Sequence, residues 1–302
     1  MSTPTEPFIS DTFAAFGDET PLTPANDPNN PPWGVAAAFS VWMGSVLALI
    51  VLPILAALGY ALYVYVAAGF REEALATITQ GDKALLFVSI LATFPAHILT
   101  LALAWAVVTN FGKRPFLPAL GWSWSPNFGL WASIGLAIAL LGIGYAAVRF
   151  VGDDNKTDIH LIIESSMQAR IALALLAALT APLVEEIVYR GVLFSALQRA
   201  IGTLWTVVAV LVLFTLVHVP QYKNNLTTIG VLALISVALT IVRARTGRLL
   251  PCFVIHFVFN GVQSVLIVLE PYLPQPSTTD NEVTTSLTIL STTLARAFGI
   301  NV

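Results

Sequence analysis

From residue 33 onward the chain consists of apolar runs of roughly 20 residues, the length that carries a helix across a hydrocarbon core, separated by short polar breaks. The runs fall at 33–66, 84–110, 128–149, 169–198, 203–219, 226–243 and 249–270. None shows the period-2 alternation of an outer-membrane strand. The pattern predicts an all-α polytopic transmembrane helical bundle with about seven spans, within a range of six to eight. Pro53 predicts a tilt or kink in the long first run. Pro182 predicts a break in the fourth, because proline lacks the amide hydrogen and disfavours helix in the residue before it.

The breaks carry the expected punctuation: "NFGKRPFLPALGWSWSPN" from 110, "GDDNKTDIH" from 152, "VPQYKNN" from 219 and "RARTGR" from 243. Residues 1–32 contain no Lys or Arg and are rich in Pro, Asn and Asp, which predicts a disordered acidic tail rather than a signal peptide. Residues 33–270 form the membrane domain. In the polar tail 271–302, Leu287, Leu290, Leu294 and Phe298 recur at helical spacing, consistent with a short interfacial helix. Loop Lys and Arg residues divide evenly between the two sides, so charge does not fix the orientation.

Composition agrees with the pattern. Hydrophobic residues make up 57% and charged residues 10%, against about 25% charged in an ordinary soluble domain. A net charge of -3 and scattered basic residues give no sign of a nucleic-acid partner, and none is expected. The single cysteine, Cys252, excludes a disulfide framework and a Cys-rich metal site. The partners implied are membrane lipids, and the expected location is the cell membrane, with several passes.

Against this background the placement of charge is informative. Of 17 acidic residues, only Glu185 and Glu186 lie well inside an apolar run, and three of the four histidines, His97, His218 and His256, share that setting. An ionisable group at a helix centre costs on the order of 2.5–3.5 kcal/mol on insertion scales, so such residues mark function by default. Glu186 and Arg190 are four apart and share a helical face, which suits a desolvated ion pair. Glu185 points about 100° away without such a partner, and burial would poise it to exchange protons with water. Tyr189 shares its face and could donate to it.

Phe214 with His218, and His256 with Asn260, are also pairs four apart. His218 could orient a water or bind a metal. His256 and Asn260 could donate to an oxyanion, or His256 could be a second metal ligand. Each reading has a plainer counterpart. The Glu and Arg residues could simply knit helices together, a lone buried histidine is often a packing residue, and His97, after Pro95, suits capping of carbonyls that the proline frees. Cys252 suits packing.

The stretches "EEIVYR", "FTLVH" and "HFVFN" resemble the EExxxR, FxxxH and HxxxN motifs of the CPBP family of intramembrane proteases, which includes type II CAAX prenyl proteases and the bacteriocin-processing or immunity proteins grouped as Abi. The resemblance covers about residues 170–265. It implies an intramembrane endopeptidase acting on a hydrophobic or membrane-tethered peptide, with prenylated CAAX-like termini as one class. Glu185 and His218 would activate water, His256 and Asn260 would stabilise the oxyanion, and Glu186 with Arg190 would support the site. The family is described both as metalloproteases and as metal-free glutamate proteases. Glu185, His218 and His256 are therefore also a candidate ligand set for zinc. A non-catalytic immunity or scaffold protein and a proton-coupled transporter are the competing readings.

Overall fold

The computed structural model describes residues 27–79, 81–151, 158–222 and 225–273. The expected interfacial helix around Leu287–Phe298 lies outside them, as do residues 1–26 of the acidic tail. Ten α-helices are found among the described residues: α1 Val35–Ala67, α2 Lys83–Thr109, α3 Phe116–Ala119, α4 Leu130–Val151, α5 Asp158–Ser165, α6 Met167–Leu175, α7 Ala181–Glu185, α8 Phe194–Tyr222, α9 Leu226–Thr246 and α10 Leu250–Leu269. Two π-helical turns, Leu176–Thr180 and Glu186–Leu193, join α6 to α7 and α7 to α8. The described residues form no β-strand, and the chain is a polytopic helical membrane bundle.

By length and composition, six helical stretches can cross a membrane, one of them 56 residues long, Met167–Tyr222. That stretch is folded in two. Gly202, at φ 76° and ψ 168°, adopts a backbone conformation open to glycine and strained for other residues. The chain doubles back there, since Tyr189 and Phe214 rings lie 5.1 Å apart across the turn, whereas an unbroken helix would separate them by about 37 Å at its 1.5 Å rise per residue. The two arms correspond to the runs expected at 169–198 and 203–219, which reconciles six stretches with seven spans.

The break expected at Pro182 does not occur. Proline is tolerated in the first turn of a helix, where an amide donor is not required, and Pro182 sits in the first turn of α7. The preceding π turn keeps the chain helical up to it. Pro53 likewise lies within α1.

The helices meet through small residues and face outward with large ones, the arrangement lipid favours because close approach, rather than exclusion from water, holds helices together there. Ala38, Ala96, Thr100, Ala104, Ser133 and Ala137 are fully buried, while Leu47, Ile54, Leu58, Leu62 and Ile98 are exposed. α1 packs along α2, α8 along α9, and α4 against both α9 and α10. One core cluster gathers Trp42, Val108, Leu120, Ile187, Phe194 and Phe214 around the second π turn. Another joins Leu140, Leu239, Cys252, Ile255 and Phe259.

Residues 27–32, expected to belong to a disordered tail, are instead attached to the bundle. Arg199 donates to the carbonyls of Pro31 and Trp33. Arg243 donates to Pro28 O and Asn29 Oδ1, and the Trp33 indole donates to Val192 O at 3.0 Å. A prolyl, asparaginyl stretch offers carbonyls in quantity, and Arg199 and the buried Arg243 supply the donors for them.

α2 begins at a side-chain cap. Asp82 accepts from the amides of Ala84 and Leu85 and from the Tyr60 hydroxyl. Its pKa is held below the usual 3.8, chiefly by the Leu85 amide, with a smaller opposing effect of burial and further lowering by Tyr60 and Ala84. A depressed carboxylate pKa contributes stability that is complete above the unfolded value and is lost as pH falls through the folded one. Asp82→Ala is expected to lower unfolding stability by about 1 kcal/mol near neutral pH. The gap to wild type should shrink on acidification below the usual aspartate range, which unfolding curves at both pH values measure.

Candidate active site

The two π turns bracket α7 and present successive carboxylates in different directions. Glu186 and Arg190 are both fully buried, with Arg190 Nη1 3.0 Å from Glu186 Oε1. Arg190 spends its other donors on α9: Nη2 reaches Ser236 O and Oγ at 3.1 Å each, and Nε approaches Thr240 Oγ1 at 3.4 Å. Its guanidinium also lies 4.8 Å from the centre of the Phe214 ring, an attractive stacking contact between a cation and an aromatic face. The ion pair anticipated from the i, i+4 spacing is thus formed, and it ties α8 and α9 to the second π turn.

Glu186 Oε1 accepts a second bond, from His256 Nδ1 on α10 at 2.9 Å. A carboxylate can only accept, so His256 Nδ1 carries hydrogen. The opposite ring nitrogen, Nε2, lies 3.7 Å from Glu185 Oε2. The imidazole therefore stands between the two adjacent glutamates, held by one and facing the other. Glu185 differs from its neighbour in access, its side chain being 23% exposed while that of Glu186 is wholly covered.

His218, half-buried on α8, has Nδ1 2.8 Å from the carbonyl oxygen of Phe214. The carbonyl fixes the tautomer: Nδ1–H donates, and the neutral ring keeps its lone pair at Nε2. The His218 ring packs 4.6 Å from Phe214, which in turn lies 6.4 Å from His256. Phe214 is the apolar spacer on which both imidazoles rest. Asn260 donates from Nδ2 to Ala177 O at 3.0 Å, a carbonyl of the first π turn. One of its amide hydrogens is thereby committed and the other is left over.

Two subsidiary expectations are revised. Tyr189 Oη accepts from the Trp42 indole at 3.1 Å rather than donating to Glu185. His97 does not cap a carbonyl freed by Pro95; its Nδ1 meets Thr180 Oγ1 at 2.9 Å, in the first π turn. Cys252 is fully buried with Sγ directed at Leu239 O, a packing position.

The three residues expected as zinc ligands are each held by a different arrangement. Among the described residues, no three His, Cys, Asp or Glu side chains are grouped so as to hold a metal ion. The physical reason is visible in the pairings: His256 is turned by Glu186, and His218 by its own helix carbonyl. Glu185, His218 and His256 are not grouped to hold a resident metal in this arrangement.

Comparison with known families bears on the same stretch. Residues 167–262 match the model of the family described as type II CAAX prenyl endopeptidase Rce1-like. This segment is similar to that family. The match agrees with the CPBP resemblance of the three motifs and supports an intramembrane endopeptidase in general terms. No curated protein and no solved structure matches the chain. The Rce1-like segment contains both π turns, α7, α8 and α9, and α10 as far as Asn260 and beyond, while α1, α2 and α4 lie outside it.

Arg243 was not singled out in the sequence, where "RARTGR" reads as a loop. It closes the last turn of α9, is fully buried, and donates to Arg190 O at 3.1 Å and Ser195 Oγ at 3.0 Å. A signal was present: Ser236, Thr240 and Arg243 recur at i, i+4 and i+7 in an otherwise apolar segment, a polar stripe that a membrane helix keeps for a buried face.

Removing one member of a buried ion pair strands the other. Arg190→Ala is expected to cost about 3–5 kcal/mol and to shorten the lifetime of the folded protein in detergent. Glu186→Gln, which keeps an acceptor for Arg190 and His256, should cost clearly less. Thermal unfolding of the two purified variants side by side measures the difference.

Proposed function

We propose that the chain is an intramembrane endopeptidase of the cell membrane, and that it hydrolyses a peptide bond in a hydrophobic or lipid-tethered substrate, with prenylated CAAX-like termini the favoured class. The observation that carries this reading is the seating of His256 between Glu186, at 2.9 Å, and the more accessible Glu185, at 3.7 Å. Such a setting leaves Glu185 accessible to water while its neighbour is committed to Arg190 and His256.

In this mechanism Glu185 takes a proton from a water molecule as the water oxygen bonds to the scissile carbonyl carbon. The Nε2 lone pair of His218 accepts the water's other hydrogen and orients it. The carbonyl oxygen becomes an oxyanion, met by the uncommitted amide hydrogen of Asn260 and by His256 when it carries hydrogen on Nε2, its Nδ1 being held by Glu186. Glu185 then passes its proton to the amide nitrogen as the carbon–nitrogen bond breaks. The Rce1-like match supports this substrate class, as do the exposed apolar faces of the helices, which lipid and lipid-linked peptides alike can cover.

Glu185→Gln, purified in detergent, is expected to lose at least about 100-fold in the rate of cleavage of a farnesylated CAAX peptide, within the usual range for a general base, while its unfolding transition stays near wild type. Full activity in that variant would remove Glu185 as the base, and a wild type that cuts no such peptide would favour a scaffold or immunity role. Elemental analysis should find well under one zinc per chain. Stoichiometric zinc that is lost in both His218→Ala and His256→Ala would replace this mechanism with a metal-assisted one.

A further inference from the structure

His97 has no place in the three motifs, yet it is 5% exposed in the interior of the bundle. Its partner, Thr180 Oγ1, also lies 3.3 Å from Leu176 O, and a carbonyl can only accept. With the Thr180 hydroxyl hydrogen spent on Leu176 O, its oxygen is free to accept, and the His97 tautomer that suits it is the one whose Nδ1–H donates. Thr180 ends the first π turn, and the helix that follows, α7, ends on Glu185.

The same turn is held at a second point. Ala181 N–H reaches back five residues to Leu176 O, the π register. The next donor in that register belongs to residue 182 and would serve Ala177 O, but Pro182 has no amide hydrogen. Asn260 Nδ2 supplies it from α10. The π turn is therefore pinned from α10 at Ala177 and from α2 at Thr180.

A π turn contains an extra residue relative to an α turn. Relapse to the α register would rotate everything beyond it by about 100°, the angle that separates Glu185 from Glu186. Arg190 and His256 grip Glu186 directly, whereas Glu185 has only the 3.7 Å approach of His256. The direction of Glu185 consequently depends on the turn that precedes it.

We propose that His97 is a positioning residue for Glu185, acting through Thr180 to keep the π turn in register. It lies outside the Rce1-like segment, so this support comes from the remainder of the chain. His97 is also near enough to Glu185 to feel its charge. The proposal rests on the reading of Glu185 as the base.

The test uses the full chain in detergent and a farnesylated, internally quenched CAAX peptide. His97→Ala and Thr180→Val should each lower kcat about tenfold with KM within about twofold, and the double variant should be no worse than either, as expected of two residues acting as one unit. His97→Asn places an amide N–H near the lost Nδ1–H and should recover most of the rate. Additive losses, or failure of asparagine to rescue, would overturn the proposal. A second measurement is independent of cleavage: Glu185→Cys in a Cys252→Ser background, labelled with a small methanethiosulfonate. Adding His97→Ala should change the labelling rate severalfold, and an unchanged rate would overturn the proposal. Should wild type cut no peptide at all, the functional reading fails while the labelling result still decides the role of His97.

Discussion

A carboxylate and a guanidinium with no exposed surface, Glu186 and Arg190, persist in an apolar bundle by finding partners inside it, and here all of them on the carboxylate side gather at Glu186 Oε1, Oε2 being left without one. That requirement organises the centre of this protein. Arg190 has donors to spare, and α9 provides Ser236 and Thr240 to receive them. Glu186 accepts from His256, which draws in α10. The backbone carbonyl of Arg190 takes the Nε of Arg243. Satisfying one charge thus recruits a second arginine, a histidine and two further helices, and the shape of the site follows from that chain of obligations.

The π turns belong to the same accounting. Widening a helical turn leaves carbonyls without their usual amide donors, and in lipid these cannot turn to water. Here side chains complete them: Asn260 at Ala177 O, the Trp33 indole at Val192 O and Ser195 Oγ at Gly191 O. Gly191 itself allows the close approach, since a Cβ there would come within 2.9 Å of Leu120 Cδ2. The irregular helix is stable because its irregularities are where other elements attach.

Much of this was legible in the sequence because the sequence is so uniformly apolar. In such a chain a charge or an imidazole is conspicuous, and i, i+4 spacing was enough to pair Glu186 with Arg190. The Met167–Tyr222 hairpin was legible as two runs, since Gly202 falls between them. What could not be read was the register of hydrogen bonds. Nothing in "LALLAALTAP" distinguishes an α turn from a π turn, because the difference lies in which carbonyl an amide chooses. Hence neither Thr180 as the partner of His97 nor Ala177 as that of Asn260 could be anticipated. Nor could the attachment of residues 27–32, whose composition resembles a free tail and whose order comes from arginines about 170 to 215 residues away.

That last contact carries a consequence for biosynthesis. Asn29 and Pro28 are made long before Arg243, yet they are held by it, and chains are built from the amino end. Pro28 and Asn29 must therefore wait for this partner until α9 has been inserted and packed, while Pro31 and Trp33 can already meet Arg199 and Val192. The carbonyl that Arg243 bonds on Arg190 belongs to the second π turn, so these first-made residues dock among the last, against a centre whose own assembly is what makes the docking site.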